Sequence, residues 1–300
     1  MPTMRELKKR LQSVTTTRQL AGAMRTVSTA KYSRISAQLG RTSAYAEACG
    51  SLAAELDIAD LTAEKGLKVF RGAADKTVFA PPGSRIYLLI SGNRGLCGGY
   101  NHELFNFFYD EVLSEYPQAE YAVCGRMAAE YFASKGVEPI EVFEASDVPT
   151  YEEAEAIADK LYGYYAAGRA ESVYFVYQGF ISMMKQTPEI RRFLPAEQGD
   201  AQSGGEDSPA PSDTPIFIPD EETVRQGLLR HCLDSQMHTL LLQCAAGAQA
   251  ATLMAMRSAY DNASESCQQL ETAINRRRQA EVTQSVLETS ADQGFDRRGN

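Results

Sequence analysis

The strongest constraint on this chain is where its prolines are missing. None falls between Pro2 and Pro81, and none from Glu221 to Ser290, so nothing forces a break in either terminal stretch. In the first stretch, steps of four and three residues from Leu7 pass through Leu11, Val14, Arg18, Ala21, Arg25, Ser28, Tyr32, Ile35, Leu39, Thr42, Ala46, Cys49, Ala53 and Leu56. Only Arg18, Arg25, Ser28 and Thr42 interrupt an apolar or alanine seam, and its ~3.5-residue repeat is that of helices that wind together. Thr3 to about Asp57 is therefore predicted to be one helix, on the order of 80 Å long at ~1.5 Å per residue. Such a helix needs a partner. The second stretch is rich in helix formers, runs on the order of 100 Å if continuous, and carries small residues at the same steps: Cys244, Ala248, Ala251, Ala255, Ser258, Asn262 and Ser266. A face of small residues lets another helix approach closely, so each over-long helix is read as the other's partner.

The formal net charge of -9 conceals a basic N-terminal segment. Residues 1–41 hold Arg5, Lys8, Lys9, Arg10, Arg18, Arg25, Lys31, Arg34 and Arg41 against the single acid Glu6. That face is either solvated or attached to acidic surfaces. Nucleic-acid binding is not expected, because no aromatics are interleaved in the first turns and the chain as a whole is acidic. The six cysteines (Cys49, Cys97, Cys124, Cys232, Cys244 and Cys267) form no Cys-x-x-Cys pair, a pattern of packed, reduced thiols. Three histidines, His102, His231 and His238, lack metal-ligand spacing. Apolar runs such as Ile86 to Ile90 are too short to cross a bilayer, and the N-terminus, charged from Arg5 onward, lacks a signal-peptide core. Direct membrane insertion is not expected.

The middle of the chain reads differently. Residues 59–84, with Gly66, Gly72, Pro81, Pro82 and Gly83, form a connecting segment between a 1–58 helix and an α/β domain over 85–219; a second long helix takes 220–290 and a tail 291–300. Strands are predicted at Arg85–Ser91, Tyr121–Cys124, Pro139–Phe143 and Glu171–Gln178, with helices over Tyr100–Ser114, Arg126–Ser134 and Tyr151–Ala167 between them. Gly136 is the stop of the second helix, and Thr150 with Glu153 has the spacing of a capping box for the third. Strands alternating with helices imply a mainly parallel sheet covered on both faces, a Rossmann-like α/β domain. Residues 197–213 read as a mobile acidic loop, and Ile216–Ile218 as an edge strand.

Chemistry is sparse. The stretch Gly92-Asn-Arg-Gly95-Leu-Cys97-Gly98-Gly99-Tyr-Asn101 lies where a phosphate loop would, but its G-x-x-G-x-x-G-G spacing fits neither a dinucleotide fingerprint nor a Walker loop. Gly95, Cys97, Gly98 and Gly99 are read as a structural turn packing strand against helix. Cys97, near a helix start with His102 beside it, has a place where thiolate is favoured but no third group to orient a base. Glu152, Glu153 and Glu155 read as a solvated acidic face. No catalytic residue, cofactor or metal site is expected. The residues alone leave two further readings open, a Rossmann-like nucleotide-binding enzyme with a helical appendage and a coiled-coil scaffold.

Three motifs in order resemble the gamma subunit of rotary F-type ATP synthases. They are Met4-Arg-Glu-Leu-Lys-Lys-Arg-Leu11 with Ala23-Met24-Arg-Thr-Val-Ser-Thr-Ala-Lys31; Arg94-Gly-Leu-Cys-Gly-Gly-Tyr-Asn101; and Met254-Ala-Met256, Asp261-Asn-Ala263, Asn275, Arg278-Gln-Ala280 and Val282-Thr-Gln284. The resemblance implies an antiparallel coiled coil of the terminal helices inside a ring of alternating alpha and beta subunits. The α/β domain would lie outside, against epsilon and the c ring. It also implies a non-catalytic rotor shaft at the cytoplasmic face of the plasma membrane, held there through the complex. By the same resemblance Met24, Arg278, Gln279, Thr283 and Gln284 are expected to meet the beta subunits, with Arg10, Arg18, Arg25, Arg276 and Arg277 as supporting basic contacts. Arg18, Arg25 and Ser28, weak positions in a seam, are expected to face outward on a turning shaft. The chain departs from the family pattern at Gly92, Ala248, Thr252 and Ser285, and in its tail from Ser290 to Asn300, which marks it as a divergent member.

Overall fold

The computed structural model describes residues 3–55, 83–195 and 217–296. Most of the expected connecting segment and the whole acidic loop 197–213 lie outside these residues. Helix α1 runs Met4–Glu55, 52 residues without interruption, and α5 runs Glu221–Asp296, 76 residues. A capping box starts α1: Thr3 Oγ1 accepts from the Glu6 amide at 3.3 Å, and Glu6 accepts from the Thr3 amide at 2.8 Å. Asp220 caps α5, accepting from the Thr223 amide at 2.9 Å.

The chain divides into two compact units, Met1–Ser28 with Leu253–Asn300, and Thr29–Thr252. In the first, Thr15 Oγ1 lies 3.6 Å from Cys267 Sγ, and the Arg25 guanidinium sits 4.8 Å from the Tyr260 ring centre. Rising numbers on α1 meet falling numbers on α5, so this helix pair is antiparallel. In the second unit Ile35 packs with Leu242 and Ala246, and the Cys232 thiol donates to the Cys49 carbonyl at 3.3 Å, again antiparallel.

From Leu7 to Ala53 every position of the predicted α1 seam is buried or half-buried. Ser28 is one of them, only 5% exposed, so it does not face outward as expected. A small hydroxyl lets the helices approach where a larger group would hold them apart. The seam predicted on α5 holds in part: Cys244 is buried and Ala248, Ala251, Ala255 and Ser266 are half-buried, but Ser258 and Asn262 are exposed, and the most buried line runs through Ala246, Ala250, Met256, Ala263 and Cys267. Small side chains are as acceptable on a solvated face as in a close contact, so size alone does not separate Ser258 and Asn262 from the positions in contact.

The second unit contains a five-stranded sheet in the order β3-β2-β1-β4-β5. Strands β1 (Arg85–Ile90), β2 (Glu120–Cys124), β3 (Glu141–Phe143) and β4 (Ser172–Ser182) are parallel. Strand β5 (Lys185–Leu194) returns antiparallel along β4, so the sheet is mixed. It was not anticipated, because its sequence alternates charge rather than apolar residues and contains Pro188. At a sheet edge both are tolerated, since outward groups meet water and the missing N–H breaks no ladder. Helices α2 (Tyr100–Phe108), α3 (Arg126–Lys135) and α4 (Tyr151–Ala166) connect the parallel strands. The helix expected to Ser114 instead passes into a π turn at Tyr109–Leu113. Phe217 and Ile218 belong to no strand. Thr150 and Glu153 make the predicted capping box, and Gly136 ends α3 at φ 68°.

Strand β1 is central and buried on both faces. Tyr87 and Leu89 pack with Leu104, Phe108, Val112, Ala128 and Phe132. Ile86, Leu88 and Ile90 pack on the other side with Ile157 and Leu161 of α4 and with Leu229, Leu233, Met237, Leu240, Leu241 and Cys244 of α5. The C-terminal helix is thus itself a layer of the α/β domain. Each fully buried leucine contributes about 1.5–3 kcal/mol, which makes this a permanent attachment. By length and composition α5 is long and apolar enough to cross a membrane, contrary to the expectation that no apolar run is long enough. In the fold, its apolar residues enter the protein's own core.

Candidate functional site

Two places concentrate the residues singled out by sequence. The first is the turn between β1 and α2. Its centre is the buried Asn101, whose Oδ1 accepts from the Gly92 amide at 3.1 Å while its Nδ2 donates to the Arg94 carbonyl and to Cys97 Sγ, both at 3.3 Å. Gly98 takes φ 61° and Leu96 φ 63°, and Gly95 and Gly99 are exposed. Because the turn's own asparagine occupies the Gly92 donor, that amide is not offered to a phosphate. Cys97 is 5% exposed, and burial raises its thiol pKa even though hydrogen bonds oppose the shift. The expectation of a favoured thiolate is therefore overturned: Cys97 packs as a thiol, and its neighbours are Asn101 and the Arg94 carbonyl.

The turn abuts two other segments. Gly125 follows β2 at φ 96°, where a Cβ would stand 2.5 Å from the Ser91 carbonyl oxygen, so only glycine fits. Tyr100, fully buried, donates its hydroxyl to the Cys244 carbonyl of α5 at 3.0 Å, and a Cβ on Gly247 would reach to 3.2 Å from the Tyr100 ring. The glycine turn is thus a mount that presses the sheet against α5.

The second place is the unit formed by the N-terminal part of α1 and the C-terminal part of α5. Met24 is half-buried, as are Arg18 and Arg25, while Arg10 is exposed. Arg276, Arg277, Arg278, Gln279, Thr283 and Gln284 are all exposed on α5, and Arg277 pairs with Glu281 at 3.1 Å. The structure brings Arg25 onto Tyr260 and leaves the arginine cluster on the surface. Sequence reasoning missed the buried carboxylate Asp234, 3% exposed, on the α5 face that meets α4. Its signal was available, an acid directly after Leu233 and at helical spacing from the apolar Met237 and Leu241. All six cysteines are free and buried, and no group of three or more metal-ligating side chains occurs among the described residues.

These features define a class: an antiparallel helix pair carrying an α/β domain whose glycine loop serves as a mount. A family model described as ATP synthase matches residues 3–291. The ATP synthase gamma chain of Synechococcus sp. is 31% identical over 318 residues, covering 97% of this chain and 98% of its own, and that of Desulforudis audaxviator is 29% identical, covering 96% and 97%. A chain in the cryo-EM structure of the Euglena gracilis mitochondrial ATP synthase (OSCP, F1 and c-ring) shares the fold with a TM-score of 0.65 at 16% identity, covering 99% of this chain and 95% of that one. The chain belongs to the ATP synthase gamma chain family and is a non-catalytic subunit.

Proposed function

We propose that this chain is the central rotor shaft of a rotary ATP synthase, turning inside a ring of alpha and beta subunits and coupling ion flow through a c ring to ATP formation on beta. One observation carries this beyond family membership. From Asn275 to Leu287 every side chain of α5 is exposed, including Val282 and Val286 at 58% and Leu287 at 65%. A run of exposed arginines followed along the helix by exposed apolar residues suits an outside surface that is partly apolar and partly acidic.

In this reading Met24, Arg278, Gln279, Thr283 and Gln284 form the sliding contacts with beta, supported by Arg10, Arg18, Arg25, Arg276 and Arg277. Exposed ion pairs are individually weak, so they break and reform as the shaft turns. The shaft's asymmetry would bias each beta subunit toward a different conformation in turn, a population shift imposed mechanically. The α/β domain would meet epsilon and the c ring, placing the chain peripherally at the cytoplasmic face of a bacterial plasma membrane.

Co-expression with alpha and beta subunits tests the reading. One copy of this chain per ring is expected in the purified complex, with ATP hydrolysis that drives ion pumping in vesicles. Failure to bind either subunit would refute it.

A further inference from the structure

Within the Thr29–Thr252 unit, most of the basic face of α1 is solvated, as its sequence suggested: Arg34 and Arg41 are exposed. Lys31 is the exception. Its ammonium hydrogen-bonds to Asp147 in the loop between β3 and α4, and the same carboxylate oxygen forms an ion pair with Arg94 of the glycine turn, N to O 3.2 Å. The Lys31 and Asp147 side chains are 28% and 20% exposed. Next to Arg94, Asn93 donates to the Ala145 carbonyl and accepts from the Arg126 amide at 3.2 Å, tying the turn to the same loop and to α3. Beside Asp147, Val148 packs into the cluster of Ile35, Leu242 and Ala246, where both long helices meet.

We infer that Asp147, held by Lys31 and Arg94, is the fastening that fixes the angular position of the α/β domain on α1 and so carries torque between them. The inference rests on the rotor reading above. Apolar packing is non-directional and tolerates small rotations of one surface over another. A hydrogen bond between the Lys31 ammonium on α1 and the Asp147 carboxylate on the domain does not, because any slip lengthens a charge-assisted bond; Arg94, on the domain's own side, adds its charge to hold that carboxylate. Partial burial shields the pair from the screening that makes surface ion pairs weak. On α5 the domain is already fixed by the sheet core and by Tyr100 on Cys244. Asp147 supplies the equivalent for α1.

The test uses the assembled ATP synthase in membrane vesicles carrying Asp147→Asn, Lys31→Gln or Lys31→Arg, with ATP hydrolysis and ion pumping measured together. Asp147→Asn and Lys31→Gln are expected to keep the subunit ratio and hydrolysis while ions moved per ATP fall roughly threefold or more; Lys31→Arg is expected to retain pumping. Hydrogen exchange at amides 92–95 and 145–148 should speed up roughly tenfold in Asp147→Asn. Faster exchange with an unchanged pumping ratio would overturn the torque role, and unchanged exchange would overturn the fastening itself. If Asp147→Asn does not assemble, Arg94→Gln, at a side chain 67% exposed, should lower the ratio in the same direction by less, and no drop would count against the inference. Failure of the unaltered chain to join alpha and beta would refute the rotor reading instead, leaving the exchange measurement to judge the fastening.

Discussion

Replacing Asp234 by Asn should stabilise this protein at neutral pH and leave it unchanged in acid. Asp234 is 3% exposed on α5, and burial raises its pKa from 3.8 to about 6, reinforced by the charges of Asp159 and Glu155 and opposed by Arg230 and His231. Arg230 is 2.6 Å from Asp159 and 3.9 Å from Glu155, so its charge is shared among acids. With the folded pKa above the unfolded one, the folded state holds a proton between about pH 4 and 6 that the unfolded state has lost. Stability from this group therefore rises as pH falls through about 6, and the full penalty applies above it. Two pKa units correspond to at most about 3 kcal/mol; with Arg230, Glu155 and Asp159 half-exposed, screening reduces this to about 1–2 kcal/mol. Urea unfolding of the purified chain, followed by far-UV circular dichroism from pH 4 to 8, reads the difference directly. The Asn variant should gain about 1–2 kcal/mol at pH 7.5 and converge with the original near pH 4. A variant no more stable at pH 7.5, or one whose advantage does not change with pH, would refute the buried-charge explanation.

The other predictions concern the mount. Gly125→Ala forces a Cβ to 2.5 Å from the Ser91 carbonyl at φ 96° and should cost about 3 kcal/mol or more in the same unfolding assay. Asn101→Ala strands the Gly92 amide and should cost about 2–3 kcal/mol, with amide exchange accelerated at Gly92 before the rest of the sheet. Cys97, Cys124, Cys232 and Cys244, whose thiol pKa values burial raises, should resist iodoacetamide at pH 7.5 until urea unfolds the chain, as mass spectrometry of the alkylated protein would register.

The local elements were legible because their causes are local. Thr150 and Glu153 announce a helix start by spacing, Gly136 a helix stop by its freedom at positive φ, and the α1 seam repeats over enough turns for four polar interruptions not to hide it. Strand β5 was illegible for the complementary reason. Its existence depends on β4 offering an edge, and at an edge Pro188, Glu189, Arg191 and Arg192 are as acceptable as valines. The α5 seam was misplaced at Ser258 and Asn262 by a similar ambiguity, because a small side chain fits a contact and a solvated face equally and only the partner decides between them.

The site was legible as composition and illegible as wiring. The glycine turn could be located and its mismatch with nucleotide loops stated, but nothing in the order of residues says that Asn101 fills its own turn or that Tyr100 reaches Cys244. The most consequential omission is Lys31, which the linear charge pattern placed among nine basic residues as one more solvated cation. Its distinction appears only when a loop 116 residues away brings Asp147 to it. The same separation explains why the domain and the helices, which read as consecutive segments, share one core. Leu229 to Cys244 satisfies the periodicity of a long helix and also closes one face of the sheet. For a rotor the double use has a mechanical consequence: torque on the domain enters α5 through the sheet's own packing, and the Asp147 fastening gives α1 a directional contact with the domain of its own.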